Sequence, residues 1–173
     1  TAITETSGNI TVGASDIVTS TTASDAVTLD AAQGIIAGGS VTGHTVNLNA
    51  ESGIGAASAI DTIASVLTFT NTAAVVDADG AVNISNTKST GVTVSGSNAD
   101  TGVSTTITEA EGNITIGASG LSTSTTASDT VTIDSTQGGI IDGGGSVTGH
   151  TVALNAEDGI GSAAAIDTVA AVL

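Results

Sequence analysis

The chain is written in short alternating segments. ITV (10–12), VTL (27–29), VNL (46–48), LTF (67–69), VNI (82–84), VTV (92–94), ITI (114–116), VTI (131–133) and VAL (152–154) each place apolar residues at every second position. Such alternation sends two apolar side chains to one face of a strand. Most of the segments recur every 17 to 21 residues. Gly, Asn, Asp and Ser clusters, which favour turns, separate them. Isolated apolar residues such as Ile17, Ile35, Ile54 and Ile60 lie between. No stretch carries a capped period of 3.6 residues. The best helical candidate, AASAIDTIASVL at 56–67, is Ala-rich but lacks charged helix formers and runs into VLTF, which reads as strand.

A longer repeat overlies this pattern. GNITVGAS (8–15) returns as GNITIGAS (112–119), and STTASDAVTLD (20–30) as STTASDTVTID (124–134). VTGHTVNLNAESGIGAASAIDTIASVL (41–67) returns as VTGHTVALNAEDGIGSAAAIDTVAAVL (147–173). The offset is 104 at first and 106 later, so two residues are inserted near the Gly-rich stretch 138–145. Residues 1–104 read as one repeat unit and 105–173 as part of a second, in one continuous domain that is a window on a longer protein. Segment 68–104 is seen once.

Together the two periods predict an all-β parallel β-helix, or β-solenoid, with coils of about 17–21 residues. One alternating segment per coil gives nine coils, a rod of roughly 43 Å at the strand spacing. A single coil cannot bury its apolar face, but stacked neighbours can. Composition agrees. The chain has no Pro, Cys, Met, Trp or Tyr and one Phe, while 39% of its residues are hydrophobic. A thin core of Val, Ile, Leu and Ala rows leaves no room for large rings, and strands paired on both sides reject Pro. A β-sandwich is the weaker alternative, because Asp-Gly, a strong hairpin signal, is sparse, at residues 79–80, 142–143 and 158–159.

Charge narrows the functional classes. Seventeen acids against a single Lys give a net charge of −16. Nucleic-acid binding needs cations to displace counterions from phosphate, and Lys88 is the only basic side chain besides His. An anionic membrane surface would repel the chain, and no apolar run is long enough to insert. Absence of Cys excludes a disulfide scaffold. High mean hydropathy, +0.39, argues against disorder.

The chain resembles the filamentous-haemagglutinin-like repeats of giant bacterial surface proteins. The resemblance rests on L-N-A-x-x-G-I-G (Leu48 to Gly55 and Leu154 to Gly161), A-I-D-T (59–62 and 165–168), L-T-F-T-N-T-A (67–73) and G-A-V-N-I-S-N-T (80–87). It covers essentially the whole chain and bears on architecture more than on activity. It implies a right-handed parallel β-helix, export from the cell, and a structural or adhesive role at the surface.

Candidate chemistry is sparse. Asp77 and Asp79 flank Ala78 before a Gly, and Glu157 and Asp158 precede a G-I-G turn. These four are the Ca²⁺ candidates, since Ca²⁺ takes six to eight oxygen ligands that such turns could supply. Against them stands the reading as solvated turn acids, and neither an EF-hand nor a calcium-binding nonapeptide is present. Asp142 lies in the Gly-rich insertion. His44 and His150 share the context V-T-G-H-T-V and are expected five or six coils apart, too far to act together. Asn9, Asn83 and Asn113 match the glycosylation sequon, with side-chain amide ladders as the alternative role. Lys88 could in principle join an isopeptide cross-link, against the simpler role of a solvated amine. A T-x-T ice-binding ladder does not recur in every coil. A polysaccharide-cleaving β-helix is disfavoured, because aromatic platforms and an Arg or Lys-rich cleft are missing.

The expected function is therefore structural: a segment of a long repetitive extracellular fibre or cell-surface filament, with no enzymatic activity. Self-association along or between rods and contact with a host or neighbouring-cell surface are the expected partnerships; no nucleic acid or membrane insertion is expected. The alternative is the stalk of an adhesin whose binding tip lies elsewhere. A carbohydrate-active β-helix enzyme is the distant third.

Overall fold

The computed structural model describes residues 1–72 and 80–173. Every regular element among them is a strand. In chain order these are β1 (Ala2–Glu5), β2 (Ile10–Val12), β3 (Ile17–Val18), β4 (Ala26–Ala31), β5 (Ile36–Gly38), β6 (Ser40–Thr42), β7 (Thr45–Ala50), β8 (Ile60–Ile63) and β9 (Val66–Asn71). They continue as β10 (Val82–Asn86), β11 (Val92–Asn98), β12 (Ser104–Glu109), β13 (Ile114–Thr123), β14 (Thr130–Ser135), β15 (Ile140–Asp142), β16 (Ser146–Thr148), β17 (Thr151–Ala156) and β18 (Asp167–Val169). Segment 56–67, rejected as a helix from its sequence, is strand where it is regular, in β8 and the start of β9.

The strands stack into two main parallel sheets. One runs β1-β4-β7-β9-β11-β13-β16-β18, with β15 beside β13; the other runs β17-β14-β12-β10-β8-β6-β3. A short pair, β2-β5, joins the second sheet through bridges from Ile36 to Ile54 and from Ile54 to Val82. The chain alternates between the sheets, so each coil lays one strand in each. The molecule is a parallel β-solenoid of about seven turns.

The coils are longer and fewer than the alternating segments suggested. Ala2 pairs with Thr28, Ala26 with Thr45, and Val66 with Thr93, offsets of 26, 19 and 27 residues. The nine segments do not mark nine coils, because they do not share one sheet: β4, β7, β9, β11 and β13 lie in the first, β10, β14 and β17 in the second. About seven turns give a rod of about 34 Å rather than 43 Å.

Inward-facing residues form continuous columns. Ile3, Leu29, Leu48 and Phe69 occupy successive rungs of the first sheet, followed by Gly96, Leu121 and Val147. Ile60, Ile84, Ile107, Ile133 and Leu154 do the same in the second. From Leu29 to Phe69 and from Ile60 to Ile133 these side chains are essentially fully buried. Each fully buried Leu or Ile contributes about 1.5–3 kcal/mol. Phe69, the one aromatic ring, fits because its neighbour on the next rung is Gly96: a Cβ there would lie 2.5 Å from the ring.

Repeat and coil do not keep the same period. From β1 the chain returns to the first sheet at β4, β7, β9 and β11, four full turns, and reaches β12, the copy of β1, half a turn later in the second sheet. The pairs β4 and β14, β6 and β16, β7 and β17, and β8 and β18 are exchanged in the same way. One repeat unit is four and a half coils. His44 and His150 therefore stand four and a half coils apart on opposite corners, not five or six coils apart in line.

Candidate functional site

The most specific chemistry of the described residues is buried between the coils. Val82 and Ile84 point inward in β10, and the same alternation carries Asn86 inward beside them. In β12 it does so for Thr105, Ile107 and Glu109. Thr62, Asn86, Glu109 and Ser135 thus form one buried polar column on consecutive rungs. Asn86 accepts from Thr62 Oγ1 at 2.8 Å and from the Ala64 amide at 2.9 Å, and donates to Glu109 Oε2 at 2.6 Å. Glu109 Oε1 accepts the amides of Lys88 (2.9 Å) and Glu111 (3.0 Å). A buried carboxylate is costly unless its lone pairs are used. Here three donors use them: Asn86 at the end of β10 and Lys88 in the loop after it tie that rung to β12, and Glu111 closes the turn after β12.

A second amide ladder crosses the first sheet. Asn71 Nδ2 donates to Asn98 Oδ1 at 2.9 Å, and both amides donate to the carbonyl of Gly80 at 2.9 and 3.0 Å. Asn98 Nδ2 also reaches Thr105 Oγ1 at 3.2 Å. Asn71 Oδ1 is buried with no hydrogen-bond partner among the described residues. Two more acids are fully buried. Asp129 accepts the amides of Gly102, Val103 and Thr126, and Asp100 accepts the amide of Thr101.

Asp77 and Asp79 lie outside the described residues. Glu157 and Asp158 are exposed, and their backbone amides continue the ladder to Ser135 and Gly138. Among the described residues no group of three or more His, Cys, Asp or Glu side chains is placed to hold a metal ion. Asp142 Oδ1 caps the Gly144 amide of its own turn at 2.8 Å. The backbone carbonyls of His44 and His150 each accept two amides from the next coil, from Ser65 and Val66 and from Ala171 and Val172. Both histidines thus mark a corner. Asn9 and Asn113 brace backbone rather than form a ladder, accepting from the amides of Ile35 (3.0 Å) and Gly139 (2.7 Å). The buried ladders run through Asn71, Asn98 and Asn86 instead. Their signal was in the sequence: each Asn continues the inward phase of an apolar alternation, as in V-N-I-S-N.

Outside, the sheets are polar. Asn47 donates to Thr28 Oγ1 at 3.1 Å and accepts from Thr68 Oγ1 at 2.6 Å, a side-chain ladder over three rungs. A cavity of about 710 Å³ lies beside β17 at one end of the core, lined by Val152, Leu154, Ile160, Ile166, Val172 and Leu173. No helix of the described residues is long and apolar enough to cross a membrane. Comparison with family models, curated proteins and solved structures finds no match to the chain.

Proposed function

We propose that the chain is a structural segment of a long, repetitive extracellular fibre or cell-surface filament, exported from a bacterial cell, with no chemistry of its own. The observation that carries this reading is the unbroken parallel ladder. Hydrogen bonds pass from β1 to β18 and from β3 to β17, and the repeat boundary at 104–105 is crossed like any other coil. Such a stack grows along one axis by adding units, each contacting only its neighbours. Its polar faces space and solubilise rods, and side-by-side association of rods or contact with another cell surface would use them. A fibre of this type needs neither nucleic acid nor an inserted membrane anchor in this segment.

Electron microscopy of intact cells labelled with an antibody to this segment tests the reading. Label along thin extended structures outside the cell is expected. Label confined to the cell interior would overturn it.

A further inference from the structure

Three asparagines carry the N-x-S/T pattern, and their surroundings differ. Asn113 precedes β13, where Ile114 and Ile116 point into the core and so turn Asn113 and Thr115 outward. Asn113 is exposed, and its Oδ1 accepts the Gly139 amide at 2.7 Å. A backbone amide can only donate, so this bond fixes which end of the carboxamide meets the next coil. Nδ2 is the free end, with no acceptor among the described residues. Asn9 repeats the arrangement in the first copy: it is exposed, and its Oδ1 accepts the Ile35 amide at 3.0 Å. Asn83 does not. It is half-buried inside β10, its backbone amide donates to the Ile54 carbonyl at 2.7 Å, and Thr106 lies on the next rung.

A hollow of about 360 Å³ opens beside Asn113. Asn113 and Thr115 both line it, together with Ser65, Thr90 and Thr93. Gly91, which also lines it, leaves that part of the wall bare. Its φ is 81°, and a Cβ there would lie 2.6 Å from the Asn113 carbonyl oxygen, so no larger residue fits. Small-molecule sites have volumes of roughly 300–1,000 Å³, and this hollow is at the lower end of that range. Four hydroxyls and a carboxamide offer both donors and acceptors, which matches a sugar ring. The net charge of −16 favours a neutral sugar over an anionic one.

We infer that Asn113 is a glycosylation site that takes a single neutral hexose from a nucleoside diphosphate sugar, through a glycosyltransferase, and that the attached ring is seated in the hollow. Nδ2 forms a bond to C1 of the hexose. The bond from C1 to the diphosphate oxygen breaks, and the nucleoside diphosphate leaves with the electron pair. Nδ2 gives one proton to a base of the transferase and keeps the other. Thr115 supplies the hydroxyl that the acceptor pattern requires two residues on. Oδ1 keeps its bond to the Gly139 amide throughout, so the ladder is undisturbed. The size of the hollow is the reason for a single ring. The inference goes beyond the fibre reading and does not rest on it.

The test is peptide mass spectrometry of the full chain isolated from its native cells, with fragmentation that leaves sugars attached. One hexose on Asn113 is expected. Thr115→Val, expressed in the same cells, keeps the bond from Asn113 to Gly139 and is expected to lower occupancy at least about tenfold, while Thr115→Ser retains it. In the modified chain, nuclear Overhauser contacts are expected from the anomeric proton to the methyl groups of Thr90 and Thr93. A bare Asn113 in the unaltered chain, a hexose on Asn83 in its place, or a longer oligosaccharide at Asn113 would overturn the inference. So would equal occupancy in Thr115→Val, or a sugar whose contacts are confined to residue 113.

Discussion

Phe69 and Gly96 occupy neighbouring rungs of one column, and each explains the other. A methyl group on Gly96 would press into the Phe69 ring and its carbonyl, both at 2.5 Å. Gly96→Ala is expected to cost about 1–3 kcal/mol by overpacking. In a Phe69→Leu background, where the column returns to the Leu seen at residue 48, the ring is gone and the cost should fall. Urea unfolding of the two single variants and the double variant measures the coupling; strict additivity would contradict the packing account. Asp16 is a second residue with a local cause. It is the one non-glycine residue of positive φ among those described, at 56°, and its Oδ1 holds the Ser40 amide at 2.8 Å. The second copy carries Gly120 there, at φ 71°. Asp16→Ala keeps the left-handed backbone and loses the bond, so a cost of about 1–2 kcal/mol is expected. Asp16→Gly removes the strain as well and should cost less in the same measurement.

At the scale of elements, the two copies of one glutamate provide an internal control. Glu109→Ala removes the acceptor of three donors in a sealed column and should cost about 3–5 kcal/mol. Glu5→Ala, at the same repeat position without a covering coil, should cost under about 1 kcal/mol. Thermal unfolding of both variants checks the contrast, and equal losses would contradict it. The elements also mark how far the sequence could be read. Strands such as VTL in β4 and VNI in β10 were legible, because alternation over three residues or more is a strong period-2 signal. Ile17–Val18, Ser40–Thr42 and Ser146–Thr148 were not. They hold one inward residue each, too few to show a period, yet they complete the coil. Taking each strong segment as one coil, when the segments are divided between the two sheets, gave short coils and too many of them. The polar columns were hidden for another reason: Asn86 and Glu109 sit in the inward phase, where an apolar residue is expected, and only the covering rung shows that their hydrogen bonds are met. Proximity of the acidic candidates could not be read from spacing either, since neighbours in this fold are 19 to 27 residues apart in sequence.

For the whole molecule, the charge of −16 is spread over a thin rod whose ladders are otherwise uncharged. Three of the acids, Asp100, Glu109 and Asp129, are buried within hydrogen-bond networks; the remainder include exposed turn residues such as Glu157 and Asp158. Self-repulsion of this kind destabilises the folded state and is screened by salt. The melting temperature is expected to rise between about 10 and 150 mM NaCl, over which the Debye length falls from roughly 30 to 8 Å. A melting temperature that falls over this range would contradict the repulsion account.

The half-integral repeat is the claim on which the rest depends. It exchanges the sheets of successive units, places equivalent corners such as His44 and His150 on opposite sides of the rod, and gives a fibre whose surface recurs fully only after two units. Cryo-electron microscopy of a tandem chain of the repeat unit measures it directly, through the axial rise and rotation that relate one unit to the next. Four and a half coils predict a rise of about 22 Å combined with a rotation close to a half turn. A rise of about 24 Å with no such rotation, as five whole coils would give, would contradict the account.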